Sequence, residues 1–213
     1  MYNFKYVTKK EIRPFRNELE ELIHLVQNEC RQEYFTFQYC FIGSVSRNMV
    51  TFDFKSNIGF DFDVNIEVND DEQNFTPKKI KHILMQAFNT FSDRYNYDFC
   101  EDSTRVFTIK VKDRNNSRVL HSCDFAIVNN YGKNKQQYIR FNKSQNSYYW
   151  EEQSKGYCNI SDKIAFCKDE GLWGYVRKLY LDKKNHNTNP NKKSRSVFAE
   201  TVNEICQVNG YDE

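Results

Sequence analysis

Residues 43–68 read GSVSRNMVTFDFKSNIGFDFDVNIEV, and the fold turns on the second half of this stretch. Phe60, Phe62, Val64, Ile66 and Val68 are apolar, whereas Asp61, Asp63, Asn65, Glu67 and Asn69 between them are polar. Period two predicts a strand with one buried face. Asp61 and Asp63 then project from the same side. Carboxylates at i and i+2 stand close enough to share a hard cation, and Mg²⁺ between them removes the repulsion that would otherwise protonate one. Upstream, the apolar run Phe35 to Ile42 predicts a strand that ends in Gly43-Ser44. A turn with a hydroxyl and backbone N–H groups at a strand's end suits a phosphate.

A third acid sits further along. Residues 105–112 alternate as RVFTIKVK, DRNNS follows, and SRVLHSCDFAIV (117–128) is the next apolar run, so the two read as an antiparallel hairpin. Asp124 shares a face with Leu120, Ser122 and Ala126, while His121 points the other way. An acid amid Cys123, Phe125, Ala126 and Ile127 is costly to bury unless a metal or a catalytic proton compensates it; the alternative is an Asp at an exposed sheet end.

A Gly-Ser turn after a strand, an Asp-x-Asp strand and a later Asp, in that order, resemble the core of the DNA polymerase β-like nucleotidyltransferase superfamily. GSVSRN also resembles the Gly-Ser-x-x-Arg-Gly turn of bacterial oligonucleotide cyclases, with Asn48 where they usually carry Gly. One departure is the long gap between Ser44 and Asp61. A hairpin from Val50 to Phe54, turning at Lys55-Ser56-Asn57, would absorb it. Asp53 cannot stand in for Asp61, because Lys55 occupies the place of its partner.

The resemblance covers residues 1–130 and implies an α+β fold: a mixed sheet with flanking helices as the nucleotidyltransferase core, followed by an aromatic and basic helical extension over 131–213. It implies in-line attack of an acceptor on the α-phosphate of a nucleoside triphosphate, ATP among them. Asp61 and Asp63 would hold two Mg²⁺ ions, with Mn²⁺ as a substitute. Asp124 would complete one of the metal sites and help deprotonate the acceptor. Gly43 and Ser44 would grip the β/γ-phosphates, Arg47 would offset developing charge, and a helix after the core would bring Lys178 or Lys183 to the triphosphate.

The acceptor stays open between a nucleotide, an RNA end, a protein hydroxyl and a small molecule such as an aminoglycoside. The Arg47 turn favours an oligonucleotide cyclase, whereas 213 residues argue against a full-length one. A role in defence or in a toxin–antitoxin system rests on the resemblance alone. Two other readings stand beside it: a non-catalytic module on the same fold that binds nucleic acid or a partner, and a subunit completed by a partner protein.

A net charge of +2 predicts no global attraction to polyanions, so any nucleic-acid binding must be local. Aromatic residues make up 16 %, which supports a hydrophobic core and excludes disorder over most of the chain. Seven cysteines, at 30, 40, 100, 123, 158, 167 and 206, form no Cys-x-x-Cys pair and no zinc spacing with His, and read as reduced, mostly buried thiols. MYNFKYVTKKEIR has no apolar signal core and no stretch reaches membrane-spanning length, so the expectation is a soluble, cytoplasmic protein.

Ile12, Phe15, Leu19, Leu22, Ile23 and Val26 recur at helical spacing up to Cys30. The helix starts either at Thr8, with a Glu11 capping box, or nearer Pro14. Thr76-Pro77 opens a second helix with a stripe from Ile80 to Phe91. NDDEQN lacks the Gly and terminal Glu of an EF-hand and reads as a solvated loop, and His24 and His82 as surface or packing histidines. RFNKSQNSYYWEEQSKGYCN reads as an irregular aromatic segment that would wall a pocket. Beyond Ser161, Gly171 and Gly174 split a helical pattern into two short helices. A basic loop from Lys183 to Arg195 then precedes a last helix, Val197 to Val208. No Walker-type, Gly-x-Gly-x-x-Gly or Gly-x-Ser-x-Gly motif competes.

Overall fold

A computed structural model describes residues 2–53, 55, 59–70, 72–131, 135–153 and 158–211. In chain order the first half runs β1 (Phe4–Tyr6), α1 (Lys9–Glu33), β2 (Thr36–Ile42), α2 (Gly43–Ser46), β3 (Thr51–Asp53), β4 (Phe60–Asn69) and α3 (Pro77–Phe91). The second runs β5 (Glu101–Asp102), β6 (Phe107–Asp113), β7 (Arg118–Tyr131), β8 (Lys135–Asn142), β9 (Ser147–Glu152), α4 (Cys158–Asp169), α5 (Trp173–His186) and α6 (Ser194–Val208). They form two compact units, one of Val7–Val50 and Asn57–Gln153, the other of Met1–Tyr6, Thr51–Ser56 and Ser154–Glu213.

The larger unit is built on a mixed sheet in the order β2-β4-β7-β6-β5, with β8 on the outgoing half of β7 and β9 beyond it. β4 runs antiparallel to β2 and parallel to β7; β6 returns antiparallel to β7, as the hairpin pattern predicted. The apolar set of β4 is buried as its alternation required: Phe60, Phe62, Val64 and Ile66 are all under a tenth exposed. Phe107, Ile109, Cys123, Phe125 and Ile127 continue that face on β6 and β7. α1 and α3 cover it: the Phe88 ring of α3 lies 4.4 Å from Phe125 and 5.4 Å from Phe107, and Phe15 of α1 packs 5.4 Å from Phe60. The opposite face is left to the polar set.

Of the two starts open to α1, Thr8 is the real one. Its side chain accepts from the Glu11 N–H while the Glu11 carboxylate accepts from the Thr8 N–H, and Pro14 is carried inside the helix. The capping box and the buried Ile12 ahead of Pro14 outweigh the single backbone hydrogen bond that the proline removes. α3 is capped by Thr76 with Pro77 in its first turn, as expected.

Of the segment expected to be irregular, residues 140–152 form a regular hairpin, and residues 154–157 lie outside the described residues. β8 pairs with β9 from Gln137↔Glu152 to Asn142↔Ser147, turning where Asn142 Oδ1 accepts from Ser144 and Gln145 N–H groups and Asn146 takes φ 50°. Because β8 also pairs with β7 (Val128↔Tyr138), residues 135–152 belong to the core sheet, and the units do not divide at residue 130.

In the smaller unit α4, α5 and α6 bury Cys167, Val176, Tyr180, Val197, Phe198 and Val202. The two helices expected after Ser161 are α4 and α5, and α5 runs on through Lys183 and Lys184, so the basic loop is shorter than it looked. The β1–β3 pair belongs here. Tyr6 donates its hydroxyl to the Arg177 carbonyl (2.7 Å), and Asn185 accepts from the Phe4 N–H (2.6 Å). β3 is thus the strand expected near Val50 to Phe54, but its partner is β1 (Phe4↔Asp53) and not the far arm of a local hairpin. Of the expected turn 55–57, only residue 55 lies among the described residues. Among the described cysteines, all are thiols and four are buried: Cys30, Cys123, Cys167 and Cys206. No helix among the described residues is long and apolar enough to cross a membrane.

Candidate active site

The parallel β4–β7 pairing places Asp63 opposite Asp124 and Asp61 opposite Ser122. Asp61 and Asp63 are alternate residues on one strand, so the polar face of the sheet gathers all three acids that the sequence singled out. β2 ends beside them, because Ile42 is the register partner of Asp63.

Gly43, the next residue, adopts φ +67°, and a Cβ built on it would fall 2.3 Å from Asp63 Oδ2. Both the conformation and the space require glycine here. The chain then makes the single helical turn α2, which contains Ser44; the Ser44 carbonyl accepts from the Met49 N–H (2.8 Å). Asn48 closes the turn at φ 55°, a left-handed conformation that Asn and Gly tolerate best, which accounts for Asn48 in a place where the resembling cyclases carry Gly.

Burial pushes the Asp63 carboxyl up to about 6, and the neighbouring charges of Asp124 and Asp61 push the same way, while the Arg47 guanidinium pulls it back. Gly43, Ser44, Arg47 and the acid trio therefore all belong to the larger unit, and Arg47 lies close enough for its charge to act on Asp63. Lys178 and Lys183 lie on α5 in the smaller unit. Lys183 donates to the Glu204 carboxylate, and Lys178 lines a shallow cavity of about 530 Å³ with Tyr175, Leu179 and Ile205.

Two further side chains at the site belong to no motif in the sequence. Ser122 donates its hydroxyl to Asp61 Oδ1, and Thr108 donates to Asp124 Oδ1 at 2.5 Å. Their signal was the period-two face itself: Ser122 precedes Asp124 by two, and Thr108 is its register partner on β6. Carboxylate oxygens are the donors that Mg²⁺ takes. Among the described residues, no three His, Cys, Asp or Glu side chains already surround a common point; Asp61 and Asp124 each meet their hydroxyl through Oδ1, on the face that Asp63 shares. His121, on the other face, is core: its ring stacks on Phe60 at 5.4 Å and its Nε2 lies 3.2 Å from the Tyr97 hydroxyl.

This mixed sheet, with an Asp-x-Asp strand parallel to a strand bearing a third Asp, has the nucleotidyltransferase fold of the DncV structures. The structure is similar to Vibrio cholerae DncV in its GTP-bound form, with a TM-score of 0.60 and 15 % identity over 94 % of this chain and 52 % of that one. The 3′-deoxy ATP-bound form of DncV matches with a TM-score of 0.59 and 15 % identity over 94 % of this chain and 53 % of that one. A third structure, of the same protein as a cyclic AMP-GMP synthase and prokaryotic cGAS homolog, matches at 0.58 and 13 % identity over 89 % and 52 %. The chain thus spans about half the length of these proteins. No protein-family model matches it, and no curated protein does.

Proposed function

We propose that the protein is a metal-dependent nucleotidyltransferase that moves a nucleoside monophosphate from a nucleoside triphosphate to a hydroxyl acceptor. One observation carries the reading: Asp63 faces Asp124 in parallel register, with Asp61 two residues along the same face and the Gly43-Ser44 turn against Asp63. The neighbours in fold are DncV bound to GTP and to 3′-deoxy ATP, which favours a nucleoside triphosphate as donor and a nucleotide hydroxyl as the first acceptor to test.

Asp61, Asp63 and Asp124 would hold two divalent ions, Mg²⁺ or Mn²⁺. The fit is electrostatic: burial and two neighbouring acids make Asp63 hard to ionise, a cost that a dication beside the carboxylates offsets. Bound there, the ions would neutralise the triphosphate and lower the pKa of the acceptor hydroxyl. Asp124 would help remove the acceptor's proton. The Ser44 hydroxyl and the N–H groups of the Gly43 turn would bind the β/γ-phosphates, and Arg47 would offset charge developing on the phosphorus oxygens.

The test is incubation of the purified chain with each α-³²P-labelled nucleoside triphosphate and Mg²⁺ or Mn²⁺, alone and with total RNA, beside Asp61→Asn. Label transferred to an acceptor and lost in the variant supports the reading and identifies the acceptor. Absence of both transfer and metal-dependent nucleotide binding would sink it. Salt-dependent nucleic-acid binding without metal would then favour the non-catalytic module.

A further inference from the structure

Two hydroxyl side chains that the proposed chemistry does not use lie directly across the sheet from two of the acids. Ser122 is the register partner of Asp61 on β7, and Thr108 that of Asp124 on β6. Each donates to Oδ1 of its acid, Thr108 at 2.5 Å. Ser122 is 7 % exposed, so little water competes for its hydrogen bond. The terminal torsion of an aspartate is broad and roughly two-fold, so a carboxylate on a strand swings unless one oxygen is held. Hydroxyls on neighbouring strands hold it well. Their backbones are fixed by the ladder, and threonine is stiff at χ1.

We propose that Ser122 and Thr108 are positioning residues of the acid trio, their hydroxyls fixing the carboxylates of Asp61 and Asp124 on the face that Asp63 occupies. The role rests on the nucleotidyl-transfer reading. Neither residue touches the nucleotide in it; both act through the acids. A merely structural serine or threonine would show itself in stability, whereas a positioning hydroxyl shows itself in ion affinity. Removing such an outer partner of a metal-binding side chain costs roughly 10- to 100-fold in metal affinity or activity.

The experiment is a Mn²⁺ titration of the full chain followed by electron paramagnetic resonance, without nucleotide, alongside thermal melts. The parent should bind Mn²⁺ and Asp63→Asn should not. Ser122→Ala and Thr108→Val should each weaken binding about 10- to 100-fold, with melting temperatures close to the parent's, and Ser122→Thr and Thr108→Ser should restore it. In turnover, the two hydroxyl-free variants should need more Mg²⁺, with KM for the nucleoside triphosphate unchanged at saturating metal. Parent-like Mn²⁺ affinity in both variants, with Asp63→Asn silent, overturns the positioning role and leaves the nucleotidyl-transfer reading standing. A parent that binds no Mn²⁺, or an Asp63→Asn that binds like the parent, overturns the metal reading and the positioning role with it. Should Ser122→Ala fail to fold, Thr108→Val decides, since valine matches threonine in shape and suits a strand.

Discussion

Asp63 and Asp124 are Cα partners across the parallel β4–β7 pair, so two carboxylates that lie far apart in sequence repel one another on one half-buried face. That relationship sets the electrostatics of the candidate site. It also makes Asp63 a place where stability and activity oppose one another.

Asp63→Asn should stabilise the protein near neutral pH while abolishing transfer. The acid's folded pKa is raised from 3.8 to about 6, mainly by burial. The native state therefore binds the proton more tightly than the unfolded chain, and stability falls as pH rises from about 4 to about 6. Removing the charge should recover about 1–3 kcal/mol at pH 7 and little at pH 4. Urea unfolding of parent and variant at the two pH values measures it; equal stability at pH 7 contradicts the assignment.

His121 should act in the opposite sense. Burial holds its imidazole at about 4, so the unfolded chain protonates first and stability is lost as pH falls from about 6.5 to about 4. The loss is up to about 3 kcal/mol, which in this window masks the gain from Asp63. His121→Phe keeps a ring against Phe60 and removes the masking. Its stability should rise on acidification between pH 6 and 4, where the parent's stays nearly flat.

Gly43→Ala tests the turn. The substitution places a methyl 2.3 Å from Asp63 Oδ2 at a backbone φ of +67°, so either the acid or the turn must move. The left-handed conformation alone costs about 1–2 kcal/mol. We expect a melting temperature lowered by several degrees and transfer lost; a variant with parent-like turnover would detach the turn from the site.

Lys81 is a stability test away from the site. Its side chain is 1 % exposed, with Nζ 2.6 Å from Asp102 Oδ1 and donating to the Ser103 carbonyl at 2.9 Å, and Tyr148 donates to the other Asp102 oxygen at 2.7 Å. Lys81→Met leaves Asp102 without its cation and should cost about 3 kcal/mol. Asp102→Asn added to it should recover part of the loss, which a double-mutant cycle would read as coupling.

The acid trio was legible because its signals are local. Alternation along β4 aims Asp61 and Asp63 together, and the RVFTIKVK–DRNNS–RVLHSCDFAIV pattern put Asp124 on the outgoing strand of a hairpin. The Gly43 turn was legible for the same reason. Ser122 was seen to share Asp124's face, but its bond to Asp61 depends on β7 lying parallel beside β4, and the chain between them passes through α3, β5 and β6. Lys81 follows Ile80 just outside the apolar stripe of its helix, yet β9 packs against the flank of α3 and buries it.

By itself, then, the sequence determined the amphipathic elements, the helix cap at Thr76 and the common face of Asp61 and Asp63. These follow from periodicities of 2.0 and 3.6 residues, which the backbone imposes within a few neighbouring positions. Only the tertiary structure decided that β3 pairs with β1, that residues 135–152 extend the core sheet as a hairpin, and that the Ser122 and Thr108 hydroxyls face two of the three acids. Strand pairing and register are settled by competition among segments distant in the chain. No local period encodes which of several strands wins a place at an edge.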